Sequence, residues 1–310
     1  MYERILVPLD GSALAELALP HARELARRLQ AQVWLLRVVP PVFQPVLPPP
    51  AMAIDLAAEA LAQAECQAEE YLEQVRAQLA AAGLSVHTPV ARGEPATEVL
   101  AAARDVEARL IAMATHGRSG LGRWMIGSVA DRVVRAATIP VLLVPARVIE
   151  QELRTSWTRL LVPMDGSPLS ESALPHAAAL ARLFGAGLDL LTVVPRPGHY
   201  IEGEAELWRA AERGDPALLI AAVRAARQQY LAEQCARLQQ EGLDAVPRVA
   251  EGEVAETIIQ TAQWRHAGCI VMATHGRSGL ARWVLGSVAA KVLSAASIPV
   301  LLVRPLSSRT

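Results

Sequence analysis

Lysine is almost absent from this 310-residue chain: Lys291 is the only one, and every other basic side chain is arginine. A phosphate-binding P-loop needs Gly-Lys-Ser/Thr, whereas Lys291 lies between Ala290 and Val292. The Val-Ala-Ile-Lys strand of a protein kinase is missing too. Schiff-base chemistry would have to rest on that single side chain. Charge of one sign is lacking as well: 30 Lys and Arg stand against 31 Asp and Glu, with no long run of either. That excludes the basic footprint of a nucleic-acid binder. No stretch of about 18 uncharged apolar residues occurs, so no membrane span is expected. The apolar stretch behind Met1 is too short for a signal peptide. Cysteine is scarce. Cys66, Cys235 and Cys269 form no C-x-x-C pair and read as three buried thiols in a reducing compartment, which puts the expected location in the cytoplasm.

What is present is apolar material, 52% of the chain, enough to exclude disorder and to build two cores at about 150 residues per domain. The chain is one unit written twice. Arg4-Ile5-Leu6-Val7-Pro8-Leu9-Asp10-Gly11-Ser12 returns as Arg159-Leu160-Leu161-Val162-Pro163-Met164-Asp165-Gly166-Ser167, and Ala18-Leu19-Pro20-His21-Ala22 as Ala173 to Ala177, both at an offset of 155. Met113-Ala114-Thr115-His116-Gly117-Arg118-Ser119-Gly120-Leu121 returns unchanged as Met272 to Leu280, at an offset of 159. Gly127-Ser128-Val129-Ala130 returns as Gly286-Ser287-Val288-Ala289 at the same offset, so the second copy has gained four residues between Pro195 and Gly242. A period this long means whole domains rather than a solenoid. The expected division is 1–146, a linker at 147–156, and 157–310.

Within each copy strand and helix signals alternate. Ile5 to Val7, Val33 to Val39, Val86 to Ala91, Leu110 to Ala114 and Val141 to Val144 are short runs of the kind buried on both faces. Helices are expected over Ser12 to Gln30 with a kink at Pro20, over Ala53 to Ala82 with Gly83 as its stop, over Ala96 to Val106, and from Ser128. Pro41 to Pro50 reads as a loop. The fold class is α/β: two doubly wound domains, each a five-stranded parallel sheet with helices on both faces.

In such sheets ligands sit beyond the carboxyl ends of the strands, where the strand order reverses. Two segments bring suitable chemistry there. Asp10 and Asp165, after the first strand of each copy, suit ribose hydroxyls, an amino group or a metal, or serve only an Asx turn. The loop behind the fourth strand ends at a helix start, Gly127-Ser128 or Gly286-Ser287, which offers free N–H groups and partial positive charge to a phosphate. Arg118 and Arg123 can add charge nearby. His116 and His275 are phosphate donors or loop histidines bonded to backbone. His21 and His176 read as structural. Ser128 with Asp131 three residues on reads as a capping box; Ala290 replaces the acid in the second copy, so the second site is expected to hold anions better. No zinc site is expected.

The opening Val-Pro-Leu-Asp-Gly-Ser, the Met-Ala-Thr-His-Gly-Arg-Ser-Gly loop, and Gly-Ser-Val-Ala with Ile-Pro-Val-Leu-Leu-Val behind it resemble the universal stress protein family, and the resemblance covers nearly the whole chain in tandem. ATP-binding members carry Gly-x2-Gly-x9-Gly-Ser/Thr; here the second glycine is Gly117 or Gly276 and the first is replaced by Ala114 or Ala273. The resemblance implies strand order 3-2-1-4-5 and ATP as ligand, with Mg²⁺ held mainly by the phosphates. It implies a site made of Pro8, Leu9, Asp10, Val38, Met113, Ala114, His116, Gly117, Arg118, Gly127, Ser128 and Val129 in the first copy. In the second copy the site is Pro163, Met164, Asp165, Val193, Met272, Ala273, His275, Gly276, Arg277, Gly286, Ser287 and Val288. Asp10 and Asp165 would meet the nucleoside, Val38 and Val193 adenine through backbone, and Met113 and Met272 the pocket wall. It also implies an intramolecular pseudo-dimer through the fifth strands, or a further homodimer. Three functions fit: a nucleotide-binding stress-response regulator, a slow ATPase or phosphotransferase, and a scaffold without ligand. No evident general base or paired metal carboxylates stand near the loop, which favours the first.

Overall fold

The computed structural model describes residues 1–41, 50–115, 126–146, 155–194, 216–274 and 285–304, with backbone alone at 50–57 and 216–219. The chain divides into two compact units, Met1–Ile149 and Glu150–Thr310. The expected linker lies mostly outside the described residues, as does the body of the loop at Pro41 to Pro50.

The first unit runs β1 (Arg4–Leu9), α1 (Ala13–Glu16), α2 (Ala18–Leu29), β2 (Gln32–Val39), α3 (Pro50–Ala81), β3 (Val86–His87), β4 (Val90–Arg92), α4 (Pro95–Asp105), β5 (Leu110–Ala114), α5 (Ser128–Ala136) and β6 (Val141–Val144). All its pairings are parallel: β1 lies between β2 and β5, β5 pairs β6, and β2 pairs both β3 and β4. All five residues of β5 and all four of β6 are buried, as central strands covered on both faces require. The single third strand expected over Val86 to Ala91 is two short ladders, Val33↔Val86 and Arg37↔Val90, interrupted at Thr88 and Pro89. One bond still spans the gap, from the Arg37 N–H to the Pro89 carbonyl at 3.2 Å, and Pro89 has no N–H to return.

The helix expected over Ser12 to Gln30 is broken at Leu17 rather than kinked at Pro20. Pro20 sits in the first turn of α2, where its missing N–H would have pointed back to Glu16, so the chain restarts there instead of continuing. His21 follows on the core side, 1% exposed, and burial pushes its imidazole down to about 4. A histidine lowered from 6.5 binds its proton more readily in the unfolded chain. Its contribution is therefore complete above pH 6.5 and is lost as pH falls from there towards 4. Unfolding in urea should show the first unit weakening by up to about 3 kcal/mol across that window. Glu24, held down at about 2 by Arg27 and Arg28, adds loss only below the ordinary carboxylate range, so His21→Gln should flatten the slope between pH 6.5 and 4.5.

The second unit runs β7 (Arg159–Pro163), α6 (Pro168–Glu171), α7 (Leu174–Phe184), β8 (Gly187–Val194), α8 (Pro216–Gln240), β9 (Ala245–Glu251), α9 (Val254–Trp264), β10 (Cys269–Ala273), α10 (Ser287–Ala295) and β11 (Val300–Val303). Here β7 lies between β8 and β10, β10 pairs β11, and β9 is one continuous strand on β8. One matched position differs in kind between the two units. In the first unit Trp34 stacks on His87, ring centroids 4.2 Å apart. In the second, Asp189 takes its place, fully buried, and receives Arg159 at 3.1 Å, Arg248 at 2.8 Å and Arg265 at 3.0 Å. Arg159 also reaches Asp244 at 3.0 Å. Of the three thiols expected to be buried, Cys235 and Cys269 are; Cys66 is exposed on the outer face of α3, its Sγ 3.7 Å from Glu70. A long amphipathic helix has an outward face that spacing alone did not assign to that residue. Among the described residues no helix is long and apolar enough to cross a membrane, and no three His, Cys, Asp or Glu side chains gather as a metal would need.

Candidate functional site

At the carboxyl ends of β1, β2 and β5 a cavity of about 300 Å³ opens in the first unit. The turn behind β1 forms one side. Gly11 takes φ +78°, a conformation glycine adopts without strain, and lets the chain fold back so that Asp10 Oδ1 accepts from the Ser12 N–H at 2.9 Å and its hydroxyl at 2.6 Å. Ser12 Oγ in turn accepts from Ala15 N–H at 3.2 Å and caps α1. The Asx-turn alternative is thus met, and the same Asp10 stands on the cavity wall. The second unit repeats the device: Gly166 has φ +80°, and Asp165 holds Ser167 at 2.9 Å and 2.6 Å.

Thr115, directly behind β5, is the other anchor. Its N–H donates to Val144 at 2.9 Å, and its carbonyl accepts from Gly127 N–H at 2.8 Å. The chain therefore leaves the strand end and returns to it, and α5 must start there. Thr274 does the same for Val303 and Gly286, both at 2.9 Å. Gly127 is the N-cap of α5, and no side chain caps the helix. The N–H groups of Ser128, Val129 and Ala130 have no acceptor within the helix, and all three residues line the cavity.

Pro8, Leu9, Asp10, Val38, Met113, Ala114, Gly127, Ser128 and Val129 all border this cavity. His116, Gly117 and Arg118, with Arg123, lie outside the described residues. So do His275, Gly276 and Arg277 of the second copy. Pro163, Met164, Asp165, Val193, Met272, Ala273, Gly286, Ser287 and Val288 fall at the matching strand ends and helix start of the second unit. Sequence reading missed Ala15, Leu36, Arg37, Pro40, Pro95, Val99, Thr115 and Ala130 on the wall. Thr115 and Arg37 adjoin residues already singled out, whereas Pro95 and Val99 arrive on α4, which no motif marks.

The capping box is not there. Because Gly127 occupies the cap, Ser128 is one position too late to serve, and Asp131 instead accepts from Arg135 Nε at 3.0 Å and 2.9 Å. A carboxylate paired with a guanidinium one turn further on exerts little net field at the helix start. The expected inequality of the two anion seats therefore loses both of its supports. For any anion seated at the start of α5, Asp131→Ala should change affinity by no more than about twofold in calorimetric titration, against the roughly 30-fold gain that a bare charge 8 Å away would predict.

The model of the universal stress protein family matches residues 1–145 and again 156–304. A universal stress protein of Mycolicibacterium smegmatis is 29% identical over 303 residues, which cover 97% of each chain. Universal stress protein MJ0531 of Methanocaldococcus jannaschii is 35% identical over 144 residues, 46% of this chain and 82% of that protein. Among solved structures, a universal stress protein from Archaeoglobus fulgidus shares the fold at a TM-score of 0.66 and 20% identity, covering 97% of this chain and 96% of its own. With the family matched on both halves, the chain belongs to the universal stress protein family and carries two such domains in tandem.

Proposed function

We propose that this is a nucleotide-binding stress-response regulator whose first domain holds an adenine nucleotide in the cavity beyond β1, β2 and β5. The observation that carries the reading is the coincidence, around one cavity, of three N–H groups without helical acceptors at Ser128, Val129 and Ala130 and the Asp10 side chain. A helix N-terminus seats phosphate, and a carboxylate accepts from ribose hydroxyls. Val38 contributes backbone to the base, and Met113 with Leu9 and Val99 supplies apolar surface for its faces. The cavity is at the small end of the range for ligand pockets, about 300–1,000 Å³, which suits a nucleoside with its phosphates extending along the helix start. Ala114 adds a methyl group to that wall where the resembled signature has glycine. When bound, Mg²⁺ neutralises the phosphates. Occupancy would then follow adenylate supply.

Calorimetric titration with ATP and Mg²⁺ should give saturable heat at micromolar to sub-millimolar ligand. The melting transition should rise too, since a hundredfold excess over Kd stabilises by about 2.7 kcal/mol. No heat and no shift at millimolar ATP would replace this reading with that of a scaffold.

A further inference from the structure

The second domain gathers charges at a place where the first has almost none. Around Asp189 stand Arg159 at the start of β7, Arg248 on β9, Arg265 directly behind α9, and Asp244 at the rim. Their counterparts in the first domain are Trp34 for Asp189, Arg4 for Arg159, Pro89 for Arg248, Val106 for Arg265 and Ser85 for Asp244. Of these only Arg4 is charged, and it donates to the Val106 carbonyl at 2.9 Å and to Glu107 at 2.7 Å. The Trp34–His87 stack occupies the place of the buried acid. Gly187 adds to the difference: a Cβ on it would meet the Asp244 carboxylate at 2.6 Å and the Arg159 guanidinium at 2.8 Å, and its counterpart is Gln32. The first domain thus closes the same fold here without an ion network. A buried carboxylate and its cations bear a desolvation cost that well-packed apolar side chains avoid, so stability alone does not call for the network.

The three guanidiniums are not engaged alike. Arg159 commits both terminal nitrogens inside the network, Nη1 to Asp189 at 3.1 Å and Nη2 to Asp244 at 3.0 Å. Arg248 and Arg265 reach Asp189 through Nε alone, at 2.8 Å on Oδ1 and 3.0 Å on Oδ2. Their Nη atoms have no acceptor among the described residues, and none of the four is buried away from water. Two forks are thus anchored on the two oxygens of one carboxylate, which sets them beside one another with their outer donors open. The Trp264 ring, its centre 5.5 Å from the Arg265 guanidinium carbon, holds Arg265 further. Within the network three cations stand against Asp189, Asp244 and the partial negative charge at the α9 C-terminus, which leaves the balance positive. Both side chains are only about a quarter exposed, so a group that reaches the open donors must be small and carry its own acceptors.

We propose that Arg248 and Arg265 form a binding site for one phosphate group, free or as the end of a small phosphate ester. A guanidinium donates from two parallel N–H groups and matches an edge of phosphate in the same way that it matches a carboxylate. Asp189 fixes the Nε of both arginines, and the bound group takes the Nη donors. The site lies towards the amino ends of β7 and β10, whereas Asp165 stands behind the carboxyl end of β7. It does not rest on the nucleotide reading. The first domain has no such site, because Pro89 and Val106 bring no side-chain donor.

Phenylglyoxal modifies guanidiniums through their terminal nitrogens, so the test treats the full native chain with it and follows the peptides of Arg248 and Arg265 by mass spectrometry. Both should react in chloride buffer. Inorganic phosphate at equal ionic strength should slow both by about tenfold once it exceeds its Kd by that factor. Arg27 and Arg76, paired with glutamates on exposed helix faces, should react alike in the two buffers. Protection by inorganic phosphate, by glycerol phosphate in its place, or by both upholds the site and tells the free ion from the ester. Arg265→Lys keeps the charge and loses the fork, and should remove most of the protection of Arg248. No reaction of either arginine in chloride, equal rates with and without both phosphates, protection that Arg27 and Arg76 share, or full protection of Arg248 in Arg265→Lys would each overturn the proposal. Such a failure leaves the nucleotide cavity of the first domain untouched.

Discussion

Replacing Asp189 by alanine should lower the stability of the second domain by about 3–5 kcal/mol, the usual cost of stripping one partner from a buried ion pair. The carboxylate is fully buried and takes hydrogen bonds from Arg159, Arg248 and Arg265. Without it three guanidiniums, each about a quarter exposed, face one another, and among the described residues Asp244 at the rim still pairs with Arg159. At two to four degrees per kcal/mol for a domain of this size, the melting temperature of that half should fall by roughly 10 °C. Hydrogen exchange would localise the loss, with β7, β8 and β9 losing protection while β1, β2 and β5 keep theirs. Removing one arginine together with the acid, as in Asp189→Leu with Arg248→Leu, should cost less than the acid alone, because repulsion falls with the charge count. A loss under 1 kcal/mol for Asp189→Ala would mean that the arginines relax into solvent unharmed.

That network also marks a limit of what the sequence can tell. Asp189 is separated by 30, 59 and 76 residues from its three arginines, and each of those residues looks like ordinary surface charge. The repeat was legible because it is a comparison of the chain with itself, and it pointed to both strand ends and helix starts. Asp10 was legible as a residue of the strand end, where it borders the cavity, because a carboxylate directly behind a buried strand has few places to go. Ser128 was misjudged as a cap because the cap depends on where the helix is forced to begin. The bond from Gly127 to Thr115 sets that point, through a partner twelve positions back. Pro95 and Val99 reach the cavity only because α4 packs over the sheet there, a tertiary fact without local signal.

Ser128→Glu should separate the two consequences of the anion seat proposed at the start of α5. Ser128 is exposed, lines the cavity, and is the first residue of α5. A glutamate there favours the free protein, since an acid in the first turn stabilises by about 0.3–1 kcal/mol through the helix dipole. The same carboxylate opposes a bound phosphate. At an effective dielectric near 20, two unit charges about 8 Å apart repel by roughly 2 kcal/mol, or some 30-fold in affinity, and twice that energy at half the distance. The variant should therefore melt slightly higher than the parent without ligand and lose the ATP-dependent rise of the first domain. Ser128→Gln, of equal size and without charge, should retain most of that rise. If glutamate and glutamine bind ATP alike, the phosphates do not lie at the start of α5, and the orientation assigned to the nucleotide is wrong.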